Sequence, residues 1–238
     1  MPDLSAALPT TALEEAFLRV VDAEGKLIAA LEDLGPVAGR DVVLLDAGRG
    51  FHARELSDIG ARVRSVAFPP HCDEASAVAL IDELPAGEAD TVIILWSELA
   101  APGSALVAVA ERLLRPGGRL LLVHDYGRDD VWCLRPDHRG RVLDWRRRRG
   151  PFLGDGFRIR VIHCWWTFES VEQALRLLGA AFGASGVELA DQMKRPRLEY
   201  QVAIYHRSAP SSAYAPAEEP EVEMTGVAGV AGVAGAAG

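Results

Sequence analysis

The spacing of apolar positions changes period several times along this chain. From Thr11 to Leu34, apolar residues at Leu13, Phe17, Val20, Val21, Leu27, Ile28 and Leu31 recur at helical steps, which predicts an amphipathic helix interrupted near Gly25. Thr11, with Glu14 or Glu15 nearby, marks the expected N-cap region, and Gly35-Pro36 is a stop signal. Asp41 to Asp46 (DVVLLD) is a short apolar run of the kind a fully buried parallel strand presents. A helical stretch from Phe51 to Ile59 follows, closed by Gly60, and then a second strand over Ala61–Phe68, ended by Pro69-Pro70. A helix over Asp73–Leu84, a strand over Thr91–Trp96, a helix over Ser104–Leu114 and a strand over Arg119–Val123 continue the alternation. Strands alternating with helices imply βαβ units and a parallel sheet with right-handed crossovers.

Beyond this point the pattern loosens. Tyr126 to Gly156 reads as irregular and arginine-rich. Phe157–Phe168 reads as a strand, in which alternation puts His163 and Trp165 on one face and Cys164 and Trp166 on the other. Ser170 is placed to cap a helix over Ser170–Phe182, with Gln173 at the capping-box position, and Leu198–His206 is a last strand. From Ser208 onward Pro, Ala, Ser and Glu give way to Gly-Val-Ala repeats, a composition that cannot bury a core and predicts a disordered tail. The expected organisation is a helical extension over 1–36, an α/β domain over 37–207 and a low-complexity tail over 208–238.

Length and charge narrow this further. The 238 residues suit one α/β domain with extensions, and nearly half of them are apolar. A formal net charge of −9 argues against a general nucleic-acid binder, which needs a positive field to offset phosphate charge. Cys72, Cys133 and Cys164 show no C-x-x-C spacing, as expected of reduced thiols in a cytoplasm. The first ten residues lack a basic, apolar signal-like pattern, and no run approaches the roughly 20 apolar residues that a membrane span needs.

The segment richest in chemical meaning is Asp46-Ala47-Gly48-Arg49-Gly50, between the first strand and its helix. Glycines allow a sharp turn and close approach of a ligand to the main chain, and the helix start presents free N–H groups. Downstream come Thr91-Val92-Ile93-Ile94-Leu95-Trp96 and Leu114-Arg115-Pro116-Gly117-Gly118-Arg119-Leu120. On these residues the chain resembles class I S-adenosylmethionine-dependent methyltransferases from about Val37 to Val123, and more loosely to His206. The resemblance implies a Rossmann-like three-layer α/β/α sandwich, mostly parallel with a C-terminal antiparallel strand. It implies S-adenosylmethionine as cofactor, held by Asp46, Ala47, Gly48, Arg49, Gly50, Phe68, Trp96 and Ser97. Three departures stand out. His52 occupies the place of a third glycine, Val66-Ala67-Phe68 supplies no carboxylate for the ribose, and Pro69–Asp90 is short for helix, strand and second helix.

Other candidates weigh against structural roles. Trp96 is placed either to stack on an adenine or to cover the core, and Glu98 to face a substrate. His124, Asp125 and Tyr126 follow a strand at the same edge, where imidazole, carboxylate and phenol would serve as general acid or base. No third ligand accompanies His124 and Asp125 at metal-binding spacing, so no metal is expected. Arg146 to Arg149, with Arg128, Arg135, Arg139 and Arg141, form either an anion clamp or a solvated face. Cys164 has no activating partner in the sequence. The expected activity is methyl transfer to a small molecule, without nucleic-acid or membrane partners. The rivals are a scaffold module that has lost catalysis, motivated by His52 and Phe68, and a nicotinamide-dependent oxidoreductase, motivated by the G-x-G-x-x-A pattern Gly48–Ala53.

Overall fold

A computed structural model of the chain describes residues 8, 10–45, 50–69, 71–134 and 139–211, excluding the side chains of 139 and 141. The N-terminal apolar repeat forms two helices, α1 (Thr11–Val21) and α2 (Lys26–Leu34). The cap is Thr10, one residue before the expected Thr11: its hydroxyl accepts from Leu13 N at 3.2 Å. The break comes where Gly25 turns left-handed (φ 64°) and the Asp22 carboxylate accepts from Leu27 N at 2.9 Å.

The sheet contains β1 (Asp41–Leu45), β2 (Arg62–Val66), β3 (Ala89–Leu95), β4 (Leu114–Asp125), β5 (Arg158–Thr167) and β6 (Arg197–Ser208), in the order β2-β1-β3-β4-β6-β5. β1 runs parallel to β2 and β3, and β3 to β4, whereas β6 lies antiparallel between β4 and β5. Helix α3 (Phe51–Asp58) links β1 to β2, α4 (Glu74–Asp82) links β2 to β3, and α5 (Ala105–Arg112) links β3 to β4. Between β2 and β3 the described residues hold α4 and no strand, in keeping with the shortness of that stretch. β2 therefore borders the sheet, and its side chains are mostly exposed.

Alternation along each strand divides the core between the two faces of the sheet. Val42, Leu44, Ile93, Leu95, Leu121 and Val123 meet α1, α2, α3 and α8 (Val171–Phe182). Val43, Leu45, Val92, Ile94, Leu120 and Leu122 meet α4, α5 and the segment around Trp145 and Phe152. The sandwich is thus three-layered, with α1 and α2 part of the first helical layer. Full burial of each such side chain contributes about 1.5–3 kcal/mol. Cys164 and Trp166 point inward as alternation requires, and Trp166 meets Phe17 edge-on at 5.1 Å.

Three segments differ from expectation. Arg115–Gly118 does not simply precede its strand. Ala89 pairs with Leu114 and Thr91 with Arg119, so the four residues bulge from within β4. The stretch expected to be irregular carries a 3-10 turn (Asp130–Leu134) and helices α6 (Arg139–Trp145) and α7 (Pro151–Gly154). Burial of Trp145 and Phe152 against the sheet organises it. A further helix, α9 (Ala184–Asp191), packs so closely on α8 that a Cβ at Gly186 would overlap the Leu178 carbonyl. Residues 135–138 and 212–238 lie outside the described residues, and with them the predicted tail. β6 itself continues to Ser208, and Ala209 N donates to Gly118 O at 2.8 Å.

Candidate functional site

β2 lies on one side of β1 and β3 on the other, so the connections leave β1 and β3 toward opposite faces. At such a reversal the carboxyl ends of the strands frame a crevice. Asp46, Ala47, Gly48 and Arg49, expected on its floor, lie outside the described residues. Gly50 follows in the left-handed region (φ 84°), and among the described residues a Cβ there would approach only Arg54 Nη1, at 3.9 Å. The left-handed conformation itself favours glycine at this position.

His52, in the first turn of α3, is only 3% exposed. Its Nδ1 lies 2.9 Å from Glu55 Oε2, and its Nε2 has no hydrogen-bond partner among the described residues. A buried polar atom without a partner costs about 1–3 kcal/mol, so this nitrogen is kept against stability. The ring lies 5.7 Å from that of Trp96.

Trp96 is the first residue after β3, and its φ of 48° is unusual for a bulky side chain. Its N–H donates to Val123 O at 2.8 Å. Its indole Nε1 donates to the Tyr200 hydroxyl at 2.9 Å, and that hydroxyl donates to Asp125 Oδ1 at 2.5 Å. Burial and the neighbouring Asp125 charge hold the Tyr200 phenol well above its usual range, so it remains a donor. The indole is therefore fixed from two directions in a strained backbone conformation, an outlier of the kind that clusters at functional sites.

Ser97 is buried and its hydroxyl accepts from Leu99 N at 3.3 Å, which occupies it in the local turn. Glu98 is exposed in the same turn. Phe68 is half-buried against the core of the second face.

His124, Asp125 and Tyr126 do not converge. β4 runs on to Asp125, so consecutive side chains alternate between faces. His124 is buried among Trp145 (4.6 Å), Phe152 (5.7 Å) and Tyr205 (6.1 Å). Asp125 turns to Tyr200 on the other face. Tyr126 sits half-buried, with the Arg146 guanidinium 5.3 Å over its ring. The structure thus gathers His52, Trp96, Asp125 and Tyr200 on one side of the sheet edge, and His124, Tyr126 and Arg146 on the other.

Tyr200 and Asp129 were missed by sequence reasoning. Asp129 lies near Asp125, and burial pushes its carboxyl up to about 6. Its Oδ2 accepts from Gln201 N at 2.9 Å, while Asp130 Oδ2 accepts from Glu199 N at 2.8 Å. The one available signal for Tyr200 was the antiparallel last strand, whose first residues necessarily reach the carboxyl edge of the others. Cys164 is no nucleophile at neutral pH, because burial pushes its thiol up to about 12. Among the described residues no group of three or more His, Cys, Asp or Glu could hold a metal ion.

No protein-family model matches the chain, and no curated protein matches it in sequence. Its fold is similar to that of several solved structures. One is phosphoethanolamine N-methyltransferase 2 of Haemonchus contortus in complex with S-adenosyl-L-methionine (14% identity, 85% of this chain and 58% of that one, TM-score 0.47). A second is geranyl diphosphate C-methyltransferase of Streptomyces coelicolor (14% identity, 77% of each chain, TM-score 0.42). A third is the YcgJ protein of Bacillus subtilis (16% identity, 79% of this chain and 99% of that one, TM-score 0.41). At these values the likeness says nothing of substrate or activity, and the fold rests on the strand order itself.

Proposed function

We propose that this chain transfers a methyl group from S-adenosylmethionine to a small-molecule acceptor, in a cytoplasmic setting. The observation that carries the reading is Trp96, strained and fixed by Tyr200 at the crevice between β1 and β3. An immobilised aromatic face at that point suits the adenine of a nucleoside cofactor. The buried His52 Nε2 beside it suits a polar group of the same ligand. Gly50, Phe68, Trp96 and Ser97 would hold the cofactor, with Asp46, Ala47, Gly48 and Arg49 completing the loop. When bound, that group supplies an electrophilic methyl on a sulfonium sulfur. The chain's own residues position the acceptor, and Asp125, at the carboxyl end of β4, would receive its proton. Of the other two expected catalytic residues, Tyr126 would border the acceptor and His124 would support that border through Trp145. Positioning alone can supply much of such a barrier reduction.

A binding module without catalysis is the second reading, favoured by Ala67 and Phe68, which bring no carboxylate to the end of β2. The nicotinamide reading is weaker, because β6 lies antiparallel between β4 and β5 and the ribose acid is likewise lacking. Calorimetric titration of the full chain with S-adenosylmethionine and S-adenosylhomocysteine tests the proposal. Binding is expected, with at least about tenfold loss in Trp96→Ala. Failure of both ligands to bind at millimolar concentration sinks it, and tight NADH binding would transfer the reading to the oxidoreductase.

A further inference from the structure

The chain has 34 acidic residues against 25 Lys and Arg, yet Arg146 to Arg149 stand in succession. The structure fixes this run at the carboxyl edge of β4. Trp145, just before it, is buried against His124, and Phe152, just after it, stacks on Tyr205 at 4.2 Å. Between them the chain turns tightly: Gly150 N donates to Arg147 O at 2.7 Å, and a Cβ at Gly150 would overlap the Asp144 carbonyl. Arg146 turns inward, with its Nη1 3.3 Å from Tyr126 O and its guanidinium over the Tyr126 ring. Arg147 reaches Asp144 at 2.9 Å. Arg148 and Arg149 are exposed and make no ion pair among the described residues.

Arg128 is a second, independent observation. It lies two residues beyond Tyr126, is exposed, makes no ion pair among the described residues, and holds a left-handed φ of 69°. Its neighbour Gly127 is also left-handed (φ 74°) and lies against the Trp132 ring, where a Cβ has no room. Both constrained segments border Tyr126: Arg128 lies two residues beyond it in the chain, and Arg146, two residues before Arg148, packs over its ring.

We propose that Arg128, Arg148 and Arg149 grip a phosphate or diphosphate group. That this group belongs to the methyl acceptor rests on the reading above. Guanidinium groups are planar, always charged and matched to phosphate oxygens in pairs. Held on constrained backbone rather than on a mobile loop, they lose less freedom on binding. Arg146 is a positioning residue, which ties the run to Tyr126.

The test is calorimetric titration of the full chain with inorganic pyrophosphate, with and without S-adenosylhomocysteine. Wild-type protein is expected to bind pyrophosphate, and R148E/R149E and R128G each to bind it at least about tenfold more weakly. S-adenosylhomocysteine affinity should stay within about twofold in both variants. R148Q/R149Q guards against disruption by the introduced acids and should weaken pyrophosphate in the same direction. No pyrophosphate binding at millimolar concentration, or equal binding by wild type and all variants, overturns the grip. So does single-stranded RNA binding far more tightly than pyrophosphate with a steep salt dependence, which would assign the run to nucleic acid. Loss of S-adenosylhomocysteine binding alone would remove the methyl-transfer reading and leave the anion grip standing.

Discussion

The two ends of the sheet handle aspartates in opposite ways. At the amino end, Asp41 accepts from Arg62 Nε at 2.6 Å and from Arg115 Nη1 at 2.9 Å, and Arg115 also reaches Asp90 at 2.9 Å. Hydrogen bonds from Arg62 and Arg115 hold the Asp41 carboxyl down at about 2. These groups are water-exposed or half-exposed, where ion pairs contribute little. At the carboxyl end, Asp129 is pushed up to about 6 by burial, and the Asp125 carboxylate accepts from the buried Tyr200 phenol. Trp96 and Arg128 adopt left-handed conformations at that same end. One end keeps its charges in partly exposed ion pairs at little cost. The other keeps buried charge and backbone strain, which stability alone would remove.

Glycine substitutions sharpen this contrast most. Gly117, in the amino-end bulge, has φ 79° with open space where a Cβ would go. Gly117→Ala should therefore cost only the left-handed conformation, about 1 kcal/mol. Gly127, at the carboxyl end, adds a clash with the Trp132 ring to the same backbone cost. Gly127→Ala should lose roughly 2–4 kcal/mol. Urea unfolding of both variants checks the pair, and equal losses would mean that the two ends are packed alike.

Tyr200→Phe comes next in size. It deprives Asp125 of a donor and the Trp96 indole N–H of its acceptor while leaving ring packing intact. The expected loss is about 1–3 kcal/mol. S-adenosylhomocysteine affinity should fall as well if the indole must be held still. A stability loss with unchanged affinity would make the Trp96–Tyr200–Asp125 chain structural only.

Much of the scaffold was legible from local pattern, because strand and helix periods follow from burial on one or two faces. Ser170 caps α8 by accepting from Gln173 N at 3.2 Å, as its spacing predicted. The Gln173 side chain reaches back to Glu169 N, one residue before the cap. The site was less legible because its contacts are distant in sequence: 75 residues separate Asp125 from Tyr200, and 104 separate Trp96 from Tyr200. His124 and Asp125 were grouped because β4 was expected to stop at Val123. Pairing of Asp125 with Val202 carries the strand two residues further and sends the two side chains apart. Helices α6 and α7 escaped notice because they are short, seven and four residues, and Trp145 and Phe152 reveal their inward sides only once the sheet is in place.

The smallest expected effects are those of charge, and their signs differ between the ends. Asp129 has a folded value of about 6 against the usual 3.8, so the folded state holds this proton more tightly. Its contribution favours folding below the usual value and is lost as pH rises through the folded one. Asp129→Asn keeps an acceptor for Gln201 N and removes the buried charge. At about pH 8 the variant should be at least as stable as wild type, with the difference shrinking toward about pH 4. Asp41 has a folded value of about 2 against 3.8, so its contribution is present above the usual value and lost as pH falls through the folded one. Asp41→Asn should be slightly less stable than wild type at neutral pH and converge with it in acid. Urea midpoints of both variants across this range decide the matter. Asp22, also pushed up to about 6 by burial, keeps part of the wild-type slope in either variant, so the comparison rests on differences from wild type. If both differences shrank through the same pH window, the two aspartates would share one environment, and the contrast between the ends of the sheet would fail.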